Sequence, residues 1–172
     1  MKIDKNIYKL TSIELAPKLL GKILCRNINN KILKYKITET EAYYSQYDTA
    51  CHAHKGKTER TKLMFEEGGI AYIYLCYGIH WMLNIVSGEK NIPQAVLIRG
   101  IEGYDGPGKL TKFLNINNKL NGENLIISDK IWIENNNNNF DNFVCKFKST
   151  PRIGINYATE EYKNKLWRFV LI

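Results

Sequence analysis

Apolar residues recur mostly at every second position, and glycine, proline and asparagine punctuate the runs, so the pattern predicts β-strands. Segments 22–26 and 34–40 flank Asn29-Asn30, a pair that tolerates positive φ, and form a predicted hairpin. The strongest hairpin pairs 70–76 with 79–86: Gly68-Gly69 opens it and Tyr77-Gly78 turns it. Further strands are predicted at 93–101, 126–134, 143–148 and 166–172, with the asparagine tract 135–139 as a loop between two of them. Helices are few. Thr11-Ser12-Ile13-Glu14 reads as a capping box, Gly21 stops the helix it opens, and Pro17 makes that helix irregular. Short helices are expected at 59–65 and 109–114, and after a Thr159 cap. Hairpins outnumber crossovers, so the expected class is α+β: one domain over 1–172, built on a curved antiparallel sheet of open-barrel type, with a protruding β-hairpin and surrounding short helices.

Composition narrows the class. With 172 residues, 44% hydrophobic and 24% charged, the chain can bury a core, which excludes disorder, collagen and a long coiled coil. No apolar stretch approaches the roughly 18 residues of a membrane span, and no apolar stretch follows the charged N-terminus, so no membrane partner and an intracellular location are expected. The net charge is +8, but lysine, asparagine and isoleucine are over-used throughout, so attraction to polyanions is generic until a motif specifies it. Cys25, Cys51, Cys76 and Cys145 form no C-x-x-C pair, which predicts reduced, mostly buried thiols.

Candidate chemistry begins at Thr38-Glu39-Thr40-Glu41-Ala42-Tyr43. Alternation sends both glutamates to one face of a strand, where they form a metal half-site, a catalytic carboxylate with its support, or a solvated edge. Cys51-His52-Ala53-His54 places two histidines at i and i+2 without an evident third ligand, so no metal and no cofactor are expected. Tyr43, Tyr44, Tyr47, Tyr72, Tyr74, Tyr77 and Trp81 lie between the acidic strand and the hairpin. They form either a β-rich core or a surface on which bases stack. Tyr77 at a hairpin apex is hard to bury in its own core and suits a wedge between bases. The stretch from Gly103 to Lys109 matches G-x-x-x-x-G-K, but Leu110 stands where a P-loop requires Ser or Thr. A helix start whose Gly108 and Lys109 meet a nucleic-acid phosphate is the preferred reading.

Taken together these segments resemble the alkyladenine (3-methyladenine, or methylpurine) DNA glycosylase family. The resemblance runs through Glu39-Thr40-Glu41-Ala42-Tyr43, the His52 segment, Tyr72-Ile73-Tyr74-Leu75-Cys76-Tyr77-Gly78, Leu83-Asn84-Ile85, Val96-Leu97-Ile98-Arg99, Gly106-Pro107-Gly108-Lys109-Leu110, Arg152-Ile153-Gly154 and Arg168-Phe169-Val170. It implies a cytoplasmic, DNA-associated bacterial monomer acting on double-stranded DNA that contains damaged purines. Such an enzyme flips alkylated or deaminated purines of the 3-methyladenine and hypoxanthine type from the duplex and hydrolyses the N-glycosidic bond, without strand cleavage.

By the same resemblance Glu41 activates the attacking water, while Arg99 and His52 help to hold the water and the carboxylate. Tyr43, His52, Tyr74, Asn84 and Ile153 shape the base pocket, with Asn84 disfavouring guanine. Tyr77 fills the gap left in the DNA, and Gly108, Lys109 and Arg152 contact the DNA backbone. An ordinary glutamate, with a pKa near 4.3, is charged at neutral pH and more so beside an arginine. The chain departs from the family pattern in a shortened insertion after Arg99, an early end, His80 after the hairpin apex and Thr61 after Arg60. Two rival functions are a damaged-DNA-binding module without turnover and a hydrolase of free nucleosides.

Overall fold

The computed structural model describes residues 1–136 and 145–172. Strand β1 (Ile23–Ile28) returns through Asn29 and Asn30, both at positive φ (51° and 65°), into the long β2 (Lys31–Tyr44). Strands β3 (Ala71–Cys76) and β4 (His80–Val86) turn through Tyr77 and Gly78, again both left-handed at 50° and 67°. These paired positive angles match the right-handed twist of the flanking strands, which makes such turns stable hairpin ends. β5 (Gln94–Ile101), β6 (Tyr104–Asp105), β7 (Ile131–Glu134), β8 (Phe147–Thr150) and β9 (Arg168–Leu171) complete the antiparallel sheet among the described residues.

The sheet runs β3-β4-β5-β2-β1-β7. Along β2 one edge pairs with β5, while the other pairs first with β1 and then, at Glu39–Glu41, with β9. That exchange of partners curls the sheet into a half-barrel. Helix α1 (Ser12–Leu19) has the complete capping box at Thr11 and Glu14, and it continues through Pro17. Helix α2 (Pro107–Phe113) starts at a proline, whose missing N–H costs nothing there, and α3 (Glu160–Lys163) follows Thr159.

Some expectations shift. The run 126–134 pairs as a strand only from Ile131, and 59–65 forms only a 3-10 turn at Lys62–Phe65. The predicted strand 143–148 and loop 135–139 lie partly outside the described residues. Thr159 stands at the N-cap without a side-chain cap bond. All four cysteines are free; Cys25 and Cys51 are buried, whereas Cys76 and Cys145 are half-buried. No helix among the described residues is long and apolar enough to cross a membrane.

Period-two alternation gives the sheet two distinct faces. Ala42, Ala71, Ile73, Leu83, Ile85, Val96 and Ile98 enter the main core with Leu15 and Leu19 of α1, Leu110 of α2 and Leu114 just after it. Their neighbours one position away face the opposite side, where the segment bearing Cys51, Ala53, Met64 and Phe65 packs on Tyr72, Val86 and Ala95. Tyr43 and Tyr74 also pack on this second face.

Candidate active site

Cross-strand register assembles the site. Tyr72 pairs with Asn84, Asn84 with Leu97, Leu97 with Glu41, and Glu41 with Arg168, so one row of side chains crosses the sheet. Residues that are distant in sequence thereby become neighbours. Register shifts interrupt the β2–β5 ladder near Glu39, leaving Arg99 as the extra residue of its strand between the pairs Glu39–Gly100 and Thr40–Ile98. Such a bulge re-aims a side chain. Here the Arg99 guanidinium reaches both acids. Gly100 must lack a Cβ because one would lie 3.1 Å from that of Glu39 and 2.9 Å from the Thr38 hydroxyl oxygen.

The two glutamates part company. Glu39 Oε1 accepts from Nε of Arg99 at 2.9 Å and also from Arg168, so it serves the arginines. Glu41 is 0% exposed yet lines the cleft. Its Oε1 accepts the Ile153 backbone N–H at 2.8 Å and lies 3.7 Å from Arg99 Nε; its Oε2 accepts the Tyr43 hydroxyl at 2.8 Å. Burial pushes the Glu41 carboxyl above the ordinary carboxylate range, while Arg99, the Ile153 N–H, the Tyr43 hydroxyl and Arg152 pull it down. Loss of water is the largest of these effects, so the buried carboxyl holds its proton more tightly than an exposed glutamate despite the arginine beside it.

The cleft in front of Glu41 encloses about 830 Å³, with Tyr43, His52, Tyr74, Arg99 and Ile153 among its walls. A small chamber of about 30 Å³ adjoins it and shares Tyr43, His52 and Tyr74 with it; Tyr72 and Asn84 lie there. Asn84 donates from Nδ2 to the carbonyl of Tyr72 at 3.2 Å, which fixes its amide. The His52 and Tyr74 ring centroids are 4.3 Å apart. A base sandwiched between two rings needs about 7 Å, twice a van der Waals contact, so His52 and Tyr74 form one wall and Tyr43 supplies another. His52 Nδ1 is bonded to the Tyr72 hydroxyl at 3.2 Å, and burial followed by the charge of Arg60 lowers its pKa to about 4, keeping the ring neutral. The described partners of the His52 ring are Tyr72 and Tyr74.

Tyr77 is 85% exposed at the tip of the β3–β4 hairpin and lines the same cleft. Gly108 sits against the His80 ring, close enough that a Cβ would meet it at 2.9 Å, and Lys109 is exposed on α2 beside it. Arg152 is where the sequence reading fails. Its side chain has no exposed surface and is bound bidentately by Asp48, so it cannot meet a DNA phosphate. Nothing in the sequence marks Asp48, one acid among many, or Tyr157, which lines the cleft, whereas Arg168 lies in the Arg168-Phe169-Val170 segment. Among the described residues no three His, Cys, Asp or Glu side chains are grouped as ligands for a metal ion.

Comparison with known proteins accords with this arrangement. The methylpurine-DNA glycosylase family profile matches residues 6–105 and 103–172. A Borrelia garinii protein provisionally named a 3-methyladenine DNA glycosylase is 43% identical, over 98% of this chain and 95% of its own length. Proteins of the same provisional name from Clostridium perfringens and Natranaerobius thermophilus are 37% and 35% identical, each over 99% of this chain and 96% of their own length. A buried glutamate held at an aromatic cleft, which an exposed tyrosine at a hairpin tip also lines, thus occurs in a chain that belongs to the methylpurine-DNA glycosylase family.

Proposed function

We propose that the protein removes alkylated or deaminated purines from double-stranded DNA by base flipping and hydrolysis with a water activated by Glu41. One observation carries this reading: a fully buried carboxylate, fixed by the Ile153 amide and Tyr43, borders a cleft large enough for a purine and lined also by the exposed Tyr77.

The extruded base stacks between Tyr43 on one side and the joined His52–Tyr74 wall on the other. Each stacked ring is worth about 1–3 kcal/mol, comparable with the few kcal/mol that extrusion costs. Tyr77 enters the gap in the duplex. Asn84, tethered to the Tyr72 carbonyl, obstructs the exocyclic amine of guanine. Departure of the purine leaves an oxocarbenium-like sugar; the Glu41 carboxylate stabilises that charge and accepts the proton of the attacking water. A carboxyl whose proton affinity is raised by burial is a stronger base than an exposed one. Arg99, anchored by Glu39, orients the water and the acid. The neutral His52 adds no like charge beside a cationic alkylpurine. Gly108 and Lys109 lie beside the wedge, where a strand phosphate passes.

The test is incubation with duplex oligonucleotides carrying 3-methyladenine, hypoxanthine, 7-methylguanine or an undamaged purine, followed by alkaline cleavage at abasic sites. Release from at least one lesion, with undamaged duplex spared, is expected. Affinity for lesion duplex is expected to fall steeply with salt as counterions are displaced. Release only from free nucleosides, or salt-independent binding, overturns the reading.

A further inference from the structure

Behind the cleft wall lies an ion pair with 0% side-chain exposure on either partner. Arg152 Nη1 and Nη2 donate to Asp48 Oδ2 and Oδ1 at 2.6 and 2.9 Å, and also to the carbonyls of Ala42 at 3.0 Å and Tyr162 at 3.2 Å. The guanidinium carbon lies 4.7 Å from the Tyr43 ring centroid and 5.0 Å from that of Trp167. Asp48 in turn accepts the N–H groups of Ala50 at 3.0 Å and Tyr44 at 3.3 Å.

Cohesion alone does not account for this arrangement. Removing two charges from water costs several kcal/mol, and apolar residues of similar volume would join these segments equally well. What the pair adds is geometry and field. Ala42 directly joins Glu41 to Tyr43, and Ile153 follows Arg152, so Arg152 itself and its Ala42 partner each lie one residue from a hydrogen-bond donor to the Glu41 carboxylate.

We propose that Arg152 and Asp48 are positioning residues for the base: the bidentate fork holds the Ile153 amide and the Tyr43 ring against Glu41, and Asp48 offsets the arginine charge there. The proposal rests on the reading of Glu41 as the base. The other groups around Glu41 are Arg99 from β5, Arg168 from β9 in its bond with Glu39, and Tyr43 of β2.

The experiment measures single-turnover base release against pH for wild type, Arg152→Met, Asp48→Asn and Glu41→Gln, with circular dichroism to verify folding. Both changes to the pair are expected to lower the plateau rate by roughly 10- to 100-fold, as small displacements of a reacting group do. The acid limb separates their roles. Losing the cation raises the Glu41 pKa and moves the limb to higher pH in Arg152→Met. Losing the anion exposes Glu41 to an uncompensated arginine and moves it to lower pH in Asp48→Asn. A merely structural pair would not move the limb in opposite directions. Limbs that stay put, or move the same way, overturn the proposal. Should Arg152→Met not fold, the near-isosteric Asp48→Asn decides alone: a downward shift supports the proposal, and no shift or an upward one overturns it. If Glu41→Gln still releases base, the base reading falls and takes this proposal with it. If Glu41→Gln is inert while the limbs stay put, only the positioning role falls.

Discussion

Replacing Glu41 by glutamine sets function against stability at a single atom. The glutamine carbonyl still accepts the Ile153 N–H, its amide meets the Tyr43 oxygen once that hydroxyl rotates, and Arg99 keeps Glu39 at 2.9 Å. The fold is therefore retained while the base is lost. General-base catalysis contributes about 10²- to 10⁴-fold, or roughly 2.7–5.4 kcal/mol at 1.36 kcal/mol per decade, and loss of charge opposite the oxocarbenium adds to that. Stability moves the other way. Because the folded carboxyl has a raised pKa, its stabilising contribution is present below the ordinary glutamate value and is lost as pH rises through the folded value. Glutamine does not ionise, so the variant is expected to melt above wild type at pH 7–8, with the gap closing toward pH 4. The assays are single-turnover abasic-site formation on lesion duplex and melting by circular dichroism across pH. Release within tenfold of wild type, or a variant melting lower at neutral pH, refutes the reasoning.

Three further outcomes follow from the same geometry. Tyr77→Ala is expected to weaken lesion-duplex binding by about 1–3 kcal/mol in fluorescence anisotropy while leaving Tm unchanged, because the ring is exposed; unaltered affinity would remove it as the wedge. Glu39→Gln removes the carboxylate that Arg99 and Arg168 share but spares Glu41, so a loss of roughly tenfold in release, well short of that in Glu41→Gln, is expected. Equal losses would contradict the division of roles. His52 is expected to titrate near 4 by NMR of its ring protons, so the pH–rate profile has no histidine step between pH 5.5 and 7.5; a midpoint near 6.5 would show a ring in water.

The amino-acid order alone specified the hairpins, because Asn29-Asn30 and Tyr77-Gly78 carry local turn chemistry, and it specified the capping box at Thr11 and Glu14. Alternation likewise put Glu39 and Glu41 on one face together with Tyr43, since a strand's side-chain direction is fixed by its own backbone. Motif resemblance then supplied candidate roles, and the cleft gathers Glu41, Tyr43, His52, Tyr74 and Arg99 as neighbours.

What alternation left open was which acid faces the cleft and how strongly it holds its proton. Those answers depend on the bulge at Arg99, on the pairing of β2 with both β5 and β9, and on the burial that follows, none of which is a local property. Arg152 shows the same limit: a basic residue in a recognisable motif reads as a phosphate contact until the fold brings Asp48, far back in the chain, into its plane. Local sequence fixes dihedral angles and side-chain alternation, whereas solvent exclusion and charge pairing arise only when distant segments close over one another.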